Sequence, residues 1–306
     1  MSTSTETQIL VTDTAPRDHQ PVSGTPRLSP EDLWRYRQNG FLIFERLFSP
    51  AELDLIKAEL PAIFSEDSAR RVLEKSGSVR SVFASHLTNE LFDRFARLAR
   101  LVEPAKQILG DDVYVHQFKI NAKVALEGDQ WEWHQDYLYW LKEDSMPRPT
   151  VLTAVLFVEE TNEFNGPMLI IPGSHLDGVV DIDVHSKYRE TGNKNESVPQ
   201  QWAATLTADL KYKIDKDILK RLMEERSIRT VTVPAGSVMF FHGNLFHAST
   251  NNLSPWDRIS IFVSYNSVTN ALHEKENPRP EFIAARDFRP LEPVEDDALL
   301  AWEAGR

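Results

Sequence analysis

Apolar positions recur with a helical period in the first third of the chain and with a period near two beyond it. Ser29-Pro30-Glu31 offers an N-cap followed by proline at the first helical position, so a helix should run from there to about Asn39 and stop at Gly40. Phe41-Leu42-Ile43-Phe44 then reads as a short buried strand. Ser49-Pro50-Ala51-Glu52 repeats the start signal, now as a capping box, and opens a helix carrying Leu53, Ile56 and Leu60. A further helix is expected over Asn89 to Leu109, with Leu91, Phe95, Leu98 and Val102 on its apolar side and Pro104 kinking or dividing it. After Gly110 the pattern changes to short runs at Val113–Asn121, Trp131–Tyr137, Leu152–Val158, Pro167–Ile171, Thr230–Val233, Val238–Phe241 and Arg258–Asn266. Turn residues such as Asn165-Gly166-Pro167 and Pro234-Ala235-Gly236 separate many of them. Many short strands with such turns predict a sandwich or double-sheet jelly roll.

Two stretches fall outside this pattern. Residues up to about Arg27 are rich in Ser, Thr and Pro and read as a flexible leader, with one domain over 28–306. Asp181 to Arg229 is polar at first and helical around Asp217–Glu225, an excursion of the kind that forms lids or substrate loops.

Composition narrows the function. A chain of 306 residues, 41% hydrophobic and 26% charged, has the make-up of a globular protein with a sizeable core. With 34 basic and 46 acidic residues the net charge is -12, which argues against nucleic acid or an anionic membrane as partner. There are no cysteines, so disulfides, thiolate metal sites and cysteine nucleophiles are excluded. No apolar run is long enough for a membrane span and no secretory signal opens the chain, so the cytoplasm is the expected location. Nothing in the sequence indicates an oligomeric state.

The candidate chemistry lies in Trp131-Glu132-Trp133-His134-Gln135-Asp136-Tyr137. On a strand, residues i and i+2 share a face, so His134 and Asp136 would stand side by side. A second histidine further on would complete the two-histidine, one-carboxylate set of non-haem Fe(II) oxygenases. His242, at the end of an apolar run, and His247, ahead of a turn, both qualify, whereas His175 reads as a turn histidine. Arg258 opens a run in which Arg258, Ser260, Phe262 and Ser264 share one face and Ile259, Ile261 and Val263 the other. An arginine on such an inward mixed face calls for an anion, and the far carboxylate of 2-oxoglutarate fits a two-point contact.

These residues resemble the phytanoyl-CoA dioxygenase superfamily, in the branch that holds ectoine hydroxylase and the bacterial free-proline hydroxylases. The resemblance is carried by His134-x-Asp136, His247 and Arg258, by Glu143-Asp144-Ser145-Met146-Pro147, by Pro172-Gly173-Ser174-His175 and by the run Asp112 to Lys123. Arg279-Pro280-Glu281-Phe282 and Ala284-Ala285-Arg286-Asp287 extend it, so that it spans about Leu28 to Leu291. It implies a mainly β fold with flanking α, built on a double-stranded β-helix (jelly-roll) core. It assigns Fe(II) to His134, Asp136 and His247, and thereby decides for His247 over His242. It assigns 2-oxoglutarate to Arg258, Asn121 and Ser249, and implies O2 as the other co-substrate. Gln117, Trp140, Phe241 and Phe262 match pocket-lining positions.

The activity so implied is hydroxylation of a small molecule, with succinate and carbon dioxide formed. Gln135 stands where the ectoine enzymes carry serine, which turns the expectation toward a free amino acid, L-proline first, with leucine, pipecolate or ectoine as alternatives. A jelly-roll binding protein without catalysis is the alternative from another class. For the carboxylate of an amino-acid substrate the sequence offers Arg80, and for an aromatic wall Tyr137 and Trp140.

Overall fold

A computed structural model describes residues 17–18, 27–180, 211–212, 214 and 216–306. Most of the expected leader, and the first and larger part of the expected excursion after Asp181, lie outside the described residues.

Local signals set the N-terminal elements. A two-residue strand β1 (Arg17–Asp18) precedes α1 (Pro30–Asn39), which is closed at its start by a reciprocal Ser29–Asp32 capping box and at its end by Gly40 at φ 80°. β2 (Phe41–Glu45) follows, and α2 (Pro50–Ser65) opens on the same device, Ser49 with Glu52. Each such cap contributes about 1 kcal/mol by satisfying helix N–H groups that would otherwise lack partners. Next come β3 (Arg71–Leu73) and β4 (Val79–Phe83). The expected long helix is two, α3 (Glu90–Arg97) and α4 (Ala99–Leu109), and the break falls at Leu98 rather than Pro104. Leu98 adopts extended backbone and bridges to Val294, with the Ala99 N–H bonding the Val294 carbonyl at 2.9 Å. A contact with a segment almost 200 residues away therefore divides the helix, while Pro104 is carried inside α4.

The remaining elements are β5 (Val113–Lys123), β6 (Trp131–His134), α5 (Asp136–Asp144), β7 (Val151–Phe157), β8 (Met168–Ile170), α6 (Lys216–Glu225), β9 (Arg229–Val231), β10 (Val238–His242), β11 (His247–Ser249), β12 (Arg258–Ser267) and α7 (Ala298–Ala304). They form an eight-stranded sheet in the order β1-β2-β10-β7-β12-β5-β4-β3 and a four-stranded sheet in the order β6-β11-β8-β9. This is the double-stranded β-helix core, with helices packed outside it. Among the described residues no helix is long and apolar enough to cross a membrane.

Strand alternation separates two cores. Ile259, Ile261 and Val263 of β12 turn outward and join Leu91, Phe95, Leu101 and Val102 of α3 and α4. The opposite face meets the small sheet, where Phe262 packs with Phe157, Met168, Ile170, Met239 and Phe241. Burial of side chains of this size contributes about 1.5–3 kcal/mol apiece. It also fixes the register, because a one-residue slip would turn Arg258 into the helical core.

Candidate active site

The run Trp131–Tyr137 is a strand only as far as His134, and Asp136 is the first residue of α5. Gln135 between them is still extended (φ -117°, ψ 126°), so the side-by-side placement expected of a strand survives the change of element. His247 opens β11, a strand too short to show a period, and pairs directly opposite His134. The two rings lie 4.2 Å apart between centroids. Asp136 completes the group, with its carboxylate oxygens 3.6 Å from His134 Nε2 and 3.9 Å from His247 Nε2. The three donor atoms lie within 4.8 Å of one another, and all three residues are buried.

The chemistry of this donor set suits a divalent metal. His134 Nδ1 donates to the Glu132 carbonyl at 2.6 Å and His247 Nδ1 to the Leu245 carbonyl at 2.9 Å. A carbonyl only accepts, so each Nδ1 carries the proton and each Nε2 presents its lone pair to the group. Burial pushes His247 down to about 3, which keeps it neutral and ready to ligate at physiological pH. Burial would raise the Asp136 carboxyl, but the Lys119 ammonium and both imidazoles outweigh it and hold the group below the usual carboxylate range. Two imidazole nitrogens and one carboxylate oxygen are what a non-haem Fe(II) site needs, with coordination positions left over.

A cavity runs from this group to Arg258 and is walled by Trp131, Met168 and Phe262. Arg258 is buried, donates to Ser260 Oγ at 2.8 Å, and keeps an Nε without a partner. Burial brings its guanidinium down to about 10, offset in part by Glu159, so it stays cationic at neutral pH. A buried cation with an unpartnered donor calls for an anion. Ser249 lines the same cavity with its hydroxyl unpartnered. Asn121, directly across from Ser260, accepts from the Ser81 hydroxyl at 2.8 Å.

The other expected residues divide. Phe262 lines the cavity, and Phe241 packs edge-on against the His247 ring at 5.0 Å. Gln117 and Trp140 stand back from it. The Gln117 amide donates to the Ile283 carbonyl at 2.7 Å, and Trp140 packs with Tyr137, Met146 and Val151. Arg80 is already matched: it pairs with Glu74 at 2.8 Å, donates to the Gln130 carbonyl at 3.1 Å, and stacks over Trp131 at 3.7 Å. It therefore braces the cavity wall from behind. His242 and His175 lie apart from the metal group, with His242 Nδ1 accepting from the Asn244 N–H and His175 Nε2 bonded to the Arg37 carbonyl. Sequence reasoning missed Lys119, which faces the cavity across from Phe262. The alternation that placed Asn121 inward places Lys119 inward too, two residues earlier.

A double-stranded β-helix that holds two histidines and an aspartate, with an unspent arginine beyond them, defines the class of iron- and 2-oxoglutarate-dependent dioxygenases. Residues 36–260 match the phytanoyl-CoA dioxygenase (PhyH) family, and the chain belongs to it. It is 36% identical to an ectoine dioxygenase of Bordetella bronchiseptica over 287 residues, covering 89% of this chain and 88% of that protein. It is 34% identical to the L-proline trans-4-hydroxylase of Streptomyces griseoviridis over 266 residues, covering 87% of this chain and 96% of that one. Among solved structures, EctD from S. alaskensis with 2-oxoglutarate and 5-hydroxyectoine superposes with a TM-score of 0.73 at 28% identity, covering 92% of this chain and 93% of that one. The same enzyme with bound Fe gives a TM-score of 0.71 at 27% identity, over 92% of this chain and 93% of its own.

Proposed function

We propose that this enzyme hydroxylates a free amino acid, with L-proline converted to trans-4-hydroxy-L-proline as the leading reaction. The chemistry rests on one observation above all, the buried His134–Asp136–His247 group facing the unspent guanidinium of Arg258. The substrate rests on the likeness to L-proline trans-4-hydroxylase along 96% of that protein's length. It rests also on Gln135 standing where the ectoine pattern has serine. The domain that does this work is one unit from residue 28 onward.

In this reading His134, Asp136 and His247 hold Fe(II), which when bound couples oxidative decarboxylation of 2-oxoglutarate to insertion of one oxygen atom of O2 into a C–H bond. Arg258 takes the distal carboxylate of 2-oxoglutarate, and the Ser249 hydroxyl and the Asn121 amide hydrogen-bond the same molecule. Lys119 replaces Arg80 as the group that receives the substrate carboxylate, because its ammonium faces the cavity, over the Phe262 ring at 4.9 Å and the Trp131 ring at 5.9 Å. Phe262, Phe241 and the indole of Trp131 shape an apolar wall, so that positioning decides which C–H meets the metal.

The second reading is the same chemistry on ectoine, favoured by the several relatives that carry the name ectoine dioxygenase. Enzyme loaded anaerobically with Fe(II) and 2-oxoglutarate, then given O2 with proline, leucine, pipecolate or ectoine, separates the two. Mass and NMR analysis should find trans-4-hydroxyproline and stoichiometric succinate. Turnover of ectoine with none of proline would overturn the first reading.

A further inference from the structure

Gln135 is wholly buried between two candidate metal ligands, yet its side-chain hydrogen bonds go to neither. Because its backbone is extended, it projects to the side opposite His134 and Asp136. There its amide nitrogen donates to the Asn244 carbonyl and to the Gly178 carbonyl, both at 2.8 Å, and its amide oxygen accepts from the Val180 N–H at 3.1 Å. Both donors of the amide are spent on backbone carbonyls.

The Asn244 backbone is gripped at its N–H as well as at its carbonyl. Its N–H donates to His242 Nδ1 at 2.9 Å. The next residue, Leu245, closes the turn by bonding the His242 carbonyl at 2.8 Å, and its own carbonyl receives the His247 Nδ1–H at 2.9 Å. The Tyr137 N–H adds a second tie, to the Gly243 carbonyl at 2.9 Å. The segment that aims His247 is thus fastened to the segment that carries His134 and Asp136.

We infer that Gln135 and His242 are positioning residues for the metal: between them they hold the Asn244 backbone at its carbonyl and its N–H, and so set where His247 stands relative to His134 and Asp136. The inference rests on the reading that those three residues bind the metal. It gives His242 a purpose, as an acceptor that shapes the turn before the ligand. Outer partners of ligands commonly change metal affinity ~10–100-fold when removed, and the same scale is expected here.

The test is an anaerobic titration of the full-length apoprotein with Co(II), reading the dissociation constant and the ligand-field absorption, beside the apoprotein melting temperature. Gln135→Met keeps the bulk and loses all three bonds. His242→Phe loses the acceptor, whereas His242→Gln offers an amide oxygen in its place. The expected result is Co(II) binding weakened about tenfold or more, with shifted bands, in Gln135→Met and His242→Phe at temperatures where each is folded, and substantial recovery in His242→Gln. Affinity within about twofold of wild type and unchanged bands in both would overturn the inference. Should Gln135→Met not fold, the His242 pair decides alone, and equal affinities for the Phe and Gln variants overturn it. His247→Ala is the benchmark: undiminished Co(II) binding there refutes the metal reading itself, whereas its loss together with intact binding in Gln135→Met and His242→Phe refutes only the clamp.

Discussion

Among the described residues two cations, Lys119 and Arg258, line the cavity, and in the proposed reading each has a different anion to meet. Arg258 is buried, spends one donor on Ser260 and keeps an unpartnered Nε, which in that reading meets a planar carboxylate. Lys119, whose charge acts on Asp136, is a point charge on a flexible stem. Both were within reach of the sequence, since Arg258 and Asn121 mark inward faces of paired strands, yet Arg80 drew attention because its partner Glu74 could not be read from spacing. Glu74 and Arg80 meet through the β3–β4 hairpin and are both largely buried. Lys119→Met should therefore raise the KM for the amino acid at least tenfold while changing the 2-oxoglutarate KM by less than threefold, on the order of one lost charge-assisted contact. Initial-rate measurements with each substrate varied in turn check this, and equal effects on both KM values would assign Lys119 elsewhere.

Elements with a long period were legible, and those fixed by distant contacts were not. α1, α2 and β12 carry caps or alternation over many residues. β11 is three residues long and is defined by its neighbours β6 and β8. The end of β6 at His134 follows from ties that Gln135 and Tyr137 make to the Gly243–Asn244 turn, and the break at Leu98 from its bridge to Val294. The 3₁₀ turn Ser85–Leu87 is another such element, held on β5 by His86 stacked on Phe118 with centroids 5.0 Å apart. Burial pushes His86 down to about 4; Asp93 opposes the shift and Arg70 adds to it. The folded state keeps this imidazole neutral while the unfolded chain protonates near 6.5, so stability is complete above that pH and falls as pH drops from 6.5 toward 4. The cost is on the order of 1–3 kcal/mol. Urea midpoints at pH 7.5 and 5.0 should therefore fall less for His86→Phe than for wild type, and an unchanged difference would contradict this account.

On the scale of the molecule, the large sheet presents one face to helices and the other to the small sheet, and the His134–Asp136–His247 group arises where the two sheets meet. β6 and β11 bring His134 and His247 from the small sheet, while β5 and β12 bring Asn121 and Arg258 from the large one. Asp136 joins the histidines from the start of α5, and Ser249 of β11 faces the same cavity as Arg258 and Asn121 from the small sheet. Residues of both sheets pack in one apolar core, and that packing holds the two sets of cavity residues at a set separation. The resemblance in the sequence reached this arrangement through motifs, but only the fold shows why residues more than 100 positions apart form one cavity. The claim on which everything else depends is that this cavity binds Fe(II) and 2-oxoglutarate together. Anaerobic addition of both to the apoprotein should produce the visible charge-transfer absorption of 2-oxoglutarate chelated to Fe(II). It should be absent in His247→Ala and need at least tenfold more 2-oxoglutarate in Arg258→Met, on the order of one lost charged contact. The same absorption at the same concentrations in all three proteins would contradict the account.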